Sequence, residues 1–313
     1  MISVLVPLQV VRIVSLVPSA TEVLYALGLE DEVVGITYAC PDPEPGRRSV
    51  VVRSRIDPEA MNQREIDEAV RRAAERGESL YEVDVGEIER LRPDLIVVQR
   101  LCNVCAVTPD ALGDRLRSIA RVVEVGPERL EDVLREYLML GDATGRRAEA
   151  RELVEVLELR MENVRELVSG LRRRRTLVME WCDPPFCSGH WVPDMVEAAG
   201  GVDFGSPGRP SRRVRVEEVL AYGPEVIVFA PCGFGLERAY RDALGLLGSA
   251  WIRSTPAYRS GLLYAVDAKR RFSGHGPSFI EGMEALAEMI HPEKVRDLAP
   301  EGVYRVLPRE GEL

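Results

Sequence analysis

The chain has 313 residues, a formal net charge of −10, 46% hydrophobic and 29% charged residues. That length suits about two domains, each able to bury its own core. The acidic balance argues against a nucleic-acid partner, which needs a basic surface, and with no run of about 18 apolar residues no segment reads as membrane-spanning.

The first ten residues, MISVLVPLQV, are apolar but have no cationic start and no A-x-A site. The expectation is a chain without an export signal, cytoplasmic as given and extracytoplasmic only as a mature form. Residues 12–17 (RIVSLV) read as a strand ending at Pro18. Ser19 as N-cap and Glu22 three residues on form a capping box for a helix that stops at Gly28. A strand at 33–36, a Pro- and Arg-rich loop, and helices at 66–76 and 85–91 follow. Residues 93–98 (PDLIVV) are continuously apolar, as expected of a parallel strand covered on both faces. A helix, a strand at 122–125 and a helix at 130–139 come next.

Between Gly145 and Arg175, apolar residues recur at Ala148, Leu153, Val156, Leu157, Met161, Val164, Leu167 and Val168, with no proline. The spacing is that of one helix face. As one helix it would be roughly 40 Å long at about 1.5 Å per residue. It reads as a rod joining two α/β lobes, against the alternative of an ordinary surface helix within one domain.

After the rod the order repeats: a strand at 176–180, a loop at 181–191, a helix at 192–199, a short strand at 202–204 and a helix at 217–221. A strand at 224–229, a strand at 262–266 and a closing helix at 278–290 complete it. PDLIVVQRLC and PEVIVFAPC lie 131 residues apart, and TEVLYALG (from Thr21) matches PDMVEAAG (from Pro193). Two lobes of one plan follow: an α/β fold of two lobes with parallel sheets, joined by one long helix. The expected division is 1–144, 145–175 and 176–313.

In such sheets ligands bind outside the carboxyl ends of the strands. Here those positions hold Pro18 and Ser19; Thr37, Tyr38 and Cys40; and Gln99, Cys102 and Cys105. In the second half they hold Glu180, Trp181, Cys182, Asp183, Phe186, Cys187, His190 and Trp191; then Cys232, Gly233 and Phe234; then Phe272 and His275. All six cysteines, two of three histidines and two of three tryptophans fall there. The expectation is a cleft with these residues on both walls, where aromatic faces suit a large, flat, partly apolar ligand.

Cys102 and Cys105 form a single C-x-x-C, half of a metal site or a redox pair. A thiolate metal site of Cys102, Cys105, Cys232 and His190 is one option; buried cysteines acting as small hydrophobes is the other. Glu180 and Asp183 could serve as general acid and base. Yet no nucleophile–base spacing, phosphate loop or G-x-G-x-x-G motif is present, so catalysis has little support.

The chain resembles the substrate-binding proteins that deliver vitamin B12 and ferric siderophores to ABC importers, in particular the cobalamin-binding branch. The resemblance covers about residues 12–292 and is carried by RIVSLVPSATEVLYALGL, EID (65–67), LYEVD (80–84), LRPDLIVVQRLCNVCAV, DPPF (183–186), GHWVPDMVEAAGG (189–201) and APCGFG (230–235). It implies two Rossmann-like lobes on one long helix, small closure, and a corrinoid held in the cleft without reaction. It also implies docking on a permease through one surface glutamate per lobe: Glu217 in the second, while in the first the position is Gly86 with Glu87 adjacent. Where B12 carriers of this kind place a cleft tryptophan, this chain has Gln99. Competing readings are a cysteine-dependent metal or metalloid binder and a cytosolic enzyme on the same scaffold.

Overall fold

The computed structural model describes residues 12–100 and 110–308. The first lobe contains β1 (Ile13–Ser15), α1 (Pro18–Ala26), β2 (Val33–Thr37), β3 (Ser49–Ser54), α2 (Gln63–Arg76), β4 (Tyr81–Val83), α3 (Val85–Leu91), β5 (Leu95–Gln99), α4 (Asp110–Ile119), β6 (Arg121–Val125) and α5 (Leu130–Thr144). Helix α6 (Arg147–Val168) leads to the second lobe. There follow β7 (Arg174–Cys182), β8 (Pro185–Cys187), α7 (Val192–Ala198), β9 (Gly201–Asp203), β10 (Arg212–Arg213), α8 (Val216–Tyr222), β11 (Val226–Phe229), α9 (Leu236–Leu246), α10 (Ala250–Arg253), α11 (Pro256–Ser260), β12 (Leu263–Val266), α12 (Ala268–Arg271), α13 (Phe279–Ile290) and β13 (Tyr304–Val306).

Each lobe is built on one sheet. The first has the order β4-β3-β2-β1-β5-β6, parallel except for the β3/β4 edge. The second has the order β10-β8-β7-β11-β12-β13 with β9 also on β7; β9, β7, β11 and β12 run parallel and the outer pairs antiparallel. Helices cover both faces of the central strands: every residue of β1, β11 and β12 is buried.

Helix α6 has 22 residues, about 33 Å at 1.5 Å per residue. Its buried residues Ala150, Val154, Leu157, Met161, Val164 and Val168 form one narrow stripe that packs on α5 of the first lobe and on α7 and α13 of the second. Gly141 lets α5 and α6 meet: a Cβ there would lie 2.4 Å from the Ala150 Cβ. At the other end Arg160 makes a bidentate pair with the buried Glu284 of α13, at 2.9 and 2.7 Å. The helix is shorter than the 145–175 expected from periodicity. Gly145 is the left-handed C-cap of α5 (φ 74°), Gly170 (φ 74°) turns the chain, and Arg174 and Arg175 already belong to β7.

Two further local expectations are corrected. Helix α1 starts at Pro18, whose ring presets the helical φ, so Ser19 is not the N-cap; Val17 stands there without a side-chain cap. The expected loop 181–191 is largely a hairpin, because Trp181 pairs with Phe186 and Cys182 with Pro185 around the Asp183–Pro184 turn.

Candidate functional site

The strand ends of the two lobes meet through side chains. Ser19, in the first turn of α1, places its hydroxyl 3.1 Å from His275 Nε2, and Trp191 packs edge-on to the His275 ring with centroids 5.5 Å apart. Tyr137 of α5 donates to the His275 carbonyl at 2.7 Å, and Glu136 Oε2 lies 3.3 Å from His275 Nε2. Next to this point Glu22 accepts from the Ser278 amide at 3.1 Å and from the Ser278 hydroxyl, with Arg270 at 3.4 Å. The loop 272–278 of the second lobe is thus docked on α1 and α5 of the first.

Desolvation sets the charges here. His275 is 2% exposed and its pKa is lowered to about 3, so the ring is neutral at pH 7. Burial raises Glu136 to about 7 despite the Gly126 amide that bonds it. The Ser19 hydroxyl lies within hydrogen-bond distance of both His275 ring nitrogens, 3.1 Å from Nε2 and 3.3 Å from Nδ1, and Glu136 Oε2 lies beside Nε2.

The second group is built around β7. Trp181 and Phe234 pack with centroids 5.6 Å apart, and the Trp181 indole N–H donates to the Gln63 carbonyl of the first lobe at 3.1 Å. Glu180 accepts from the Gly189 amide at 3.0 Å, and its own carbonyl accepts from the Cys232 amide at 2.9 Å. Burial raises the Glu180 carboxyl to about 8 and Asp203, near it, to about 7. Only glycine fits at 189, since a Cβ there would lie 2.1 Å from the Ser211 nitrogen. His190 follows at φ 51°, its ring 6.0 Å from Trp191 and its pKa lowered by burial.

The other expected residues are placed as follows. Pro18 opens α1, Gln99 ends β5, and Tyr38 is exposed with its ring 6.5 Å from Tyr81. Asp183 pairs with Arg64 across the lobes at 2.8 Å. Phe186 sits half-buried in β8, while Phe272 and Phe234 are buried at 1% and 3% exposure. Cys102 and Cys105 lie outside the described residues; of the expected metal set, Cys232 is exposed and His190 half-buried. Among the described residues no group of three or more His, Cys, Asp or Glu side chains is arranged to hold a metal. The Cys40 thiol is enclosed by Thr21 and Thr37, and burial pushes Cys40 and Cys182 up, Cys182 to about 12, so both are neutral thiols of low reactivity.

Five residues that join the lobes carried no chemical signal in the sequence: Glu22, Gln63, Glu136, Tyr137 and Arg238. The spacing of Glu22 to Ser19 reads only as a cap, and Gln63 has a local cue of its own. It follows Asn62, which makes a capping box with Glu65 at the start of α2.

Comparison with known proteins agrees with this architecture. An uncharacterized ABC transporter substrate-binding lipoprotein of Bacillus subtilis, YvrC, is 23% identical over 293 residues, covering 91% of this chain and 82% of its own. The vitamin B12-binding protein of Yersinia pestis is 25% identical over 221 residues, covering 69% of this chain and 68% of its own. A periplasmic heme-binding protein from Pseudomonas aeruginosa superposes with a TM-score of 0.71 at 18% identity, over 96% of this chain and 99% of that one. A family profile matches residues 13–269, most of the chain, and the protein therefore belongs to the periplasmic binding protein family.

Proposed function

We propose that this chain is the substrate-binding component of an ABC importer, or a soluble relative of one, and that it holds a corrinoid or related metal chelate between its lobes. One observation carries the reading. Residues from both lobes at the strand ends converge there, with Trp181 supplying a half-buried ring and Tyr38 an exposed one, backed by the buried rings of Phe234 and Trp191. Flat, partly apolar ligands are held by such faces with a few polar groups fixing orientation. The naming of one relative for vitamin B12 and of one structural neighbour for heme supports a tetrapyrrole-like chelate as the class.

A permease partner follows from the same reading. Glu217 is exposed at the start of α8, a free-standing carboxylate suited to an ion pair with a partner. Glu87 on α3 accepts from Ser49 at 2.7 Å and from Arg90 at 2.6 Å, and these contacts hold its carboxyl below the usual range. Docking is assigned to Glu217 first and Glu87 second.

The test is calorimetric titration of the purified chain with hydroxocobalamin and, separately, with hemin. A saturable 1:1 heat with one of them, weakened at least tenfold by Trp181→Ala, is the expected result. No heat with either at micromolar concentrations removes the chelate reading.

A further inference from the structure

A second set of contacts crosses between the lobes without using His275. The first-lobe segment 57–63 lies against α9 and the end of β7. Arg238, in the first turn of α9 and only 8% exposed, donates to three carbonyls of that segment: Pro58 and Glu59 at 3.2 Å each and Met61 at 2.5 Å. Its guanidinium lies 4.5 Å over the Phe234 ring, and Asp242 one turn on holds its Nε at 3.0 Å. Asp242 also accepts from the Gln63 side-chain amide at 2.8 Å. The other end of that amide, Gln63 Oε1, accepts from the Cys182 N–H at 2.7 Å. Gln63 is 5% exposed and is fixed at the first position of α2 by the Asn62 cap, with Asn62 Oδ1 on the Glu65 amide at 2.9 Å.

A buried guanidinium is tolerated only when its donors are satisfied. Here they are satisfied by main-chain carbonyls of the opposite lobe and by one carboxylate of its own helix. All of these bonds are made between groups of the chain itself. The group differs in kind from the Arg64–Asp183 pair nearby, whose side chains are 67% and 43% exposed and which is therefore weak.

We propose that Arg238, Asp242 and Gln63 form a clasp that holds the two lobes together in the absence of ligand, so that the empty chain rests closed at this edge. Its value to an importer rests on the function proposed above; its existence does not. Hydrogen exchange on the ligand-free chain reads it directly. Arg238→Ala and Asp242→Ala should each speed exchange in segments 57–63 and 181–187 by about tenfold or more, while α13 keeps its protection. Arg64→Ala should change neither segment. Gln63→Leu, which leaves Arg238 and Asp242 paired, should speed exchange at the Cys182 amide above all. Unchanged protection at 57–63 and 181–187 in Arg238→Ala and Asp242→Ala overturns the clasp. So does loss of protection in α13 in step with those segments, because the variants would then be loosening the lobe and not opening an edge. A Gln63→Leu variant with an unaffected Cys182 amide overturns it as well.

Discussion

Two of the places where the lobes touch differ in their chemistry. At one, a neutral histidine, a carboxyl raised to about 7 and two hydroxyls meet in a buried pocket. At the other, an arginine guanidinium is held by carbonyls and a carboxylate. The first contact carries a carboxyl raised to near neutrality, and the second an arginine–carboxylate pair tied to main-chain carbonyls. The lobes are thus joined at one contact by a buried titrating carboxyl and at the other by a guanidinium clasp.

The largest effect is expected at the rod, α6, that packs on both lobes. Arg160→Ala leaves Glu284, whose side chain is 5% exposed, without its partner. A fully buried pair broken this way costs about 3–5 kcal/mol. Arg160 is 40% exposed, so water offsets part of that and about 2–3 kcal/mol is expected by urea denaturation. A loss below about 0.5 kcal/mol would mean α6 is not anchored through this pair.

The comparison sharpens at the histidine contact. Tyr137→Phe removes the hydroxyl that donates to the carbonyl of the buried His275 and should cost about 1–3 kcal/mol. The pH dependence has a definite sign. Glu136 is raised on folding, so the folded chain retains a proton that the unfolded chain has lost. Its contribution is fully present below about pH 4.5 and is lost as pH rises through about 7. His275 is depressed, so its burial costs stability as pH falls below about 6.5. Above pH 6.5 the histidine is neutral in both states and Glu136, with Glu180 and Asp203, acts alone. Stability should therefore fall from pH 6.5 to 8.5, and Glu136→Gln should flatten the fall by on the order of 1 kcal/mol. An identical slope in the variant would break the contrast between the contacts. The smallest effect is expected for Arg64→Ala, at about 0–1 kcal/mol, since that pair is exposed.

Much of the architecture was legible in the residues. The alternation of apolar runs and helical periods marks both sheets, and the repeat of PDLIVV as PEVIVF marks β5 and β11 as counterparts. The rod was legible in kind but not in length, because Gly145 and Gly170 fall in positions that periodicity ignores and only φ reveals. Ser19 shows why local signals mislead. Its spacing to Glu22 imitates a cap, yet Pro18 begins the helix, and both side chains find partners about 256 residues away. Gln63 and Asp242, 179 residues apart, carry no local pattern that pairs them. Contacts between lobes are set by how two finished surfaces meet, and no window of sequence contains both surfaces.

Trp181 gives this arrangement a practical consequence. Its indole N–H rests on a carbonyl of the other lobe, with its ring against Phe234. Separation of the lobes hands that N–H to water and shifts the emission of one of three indoles to longer wavelength. The molecule therefore carries an intrinsic optical gauge of its own gape, readable without labels in a dilute cuvette.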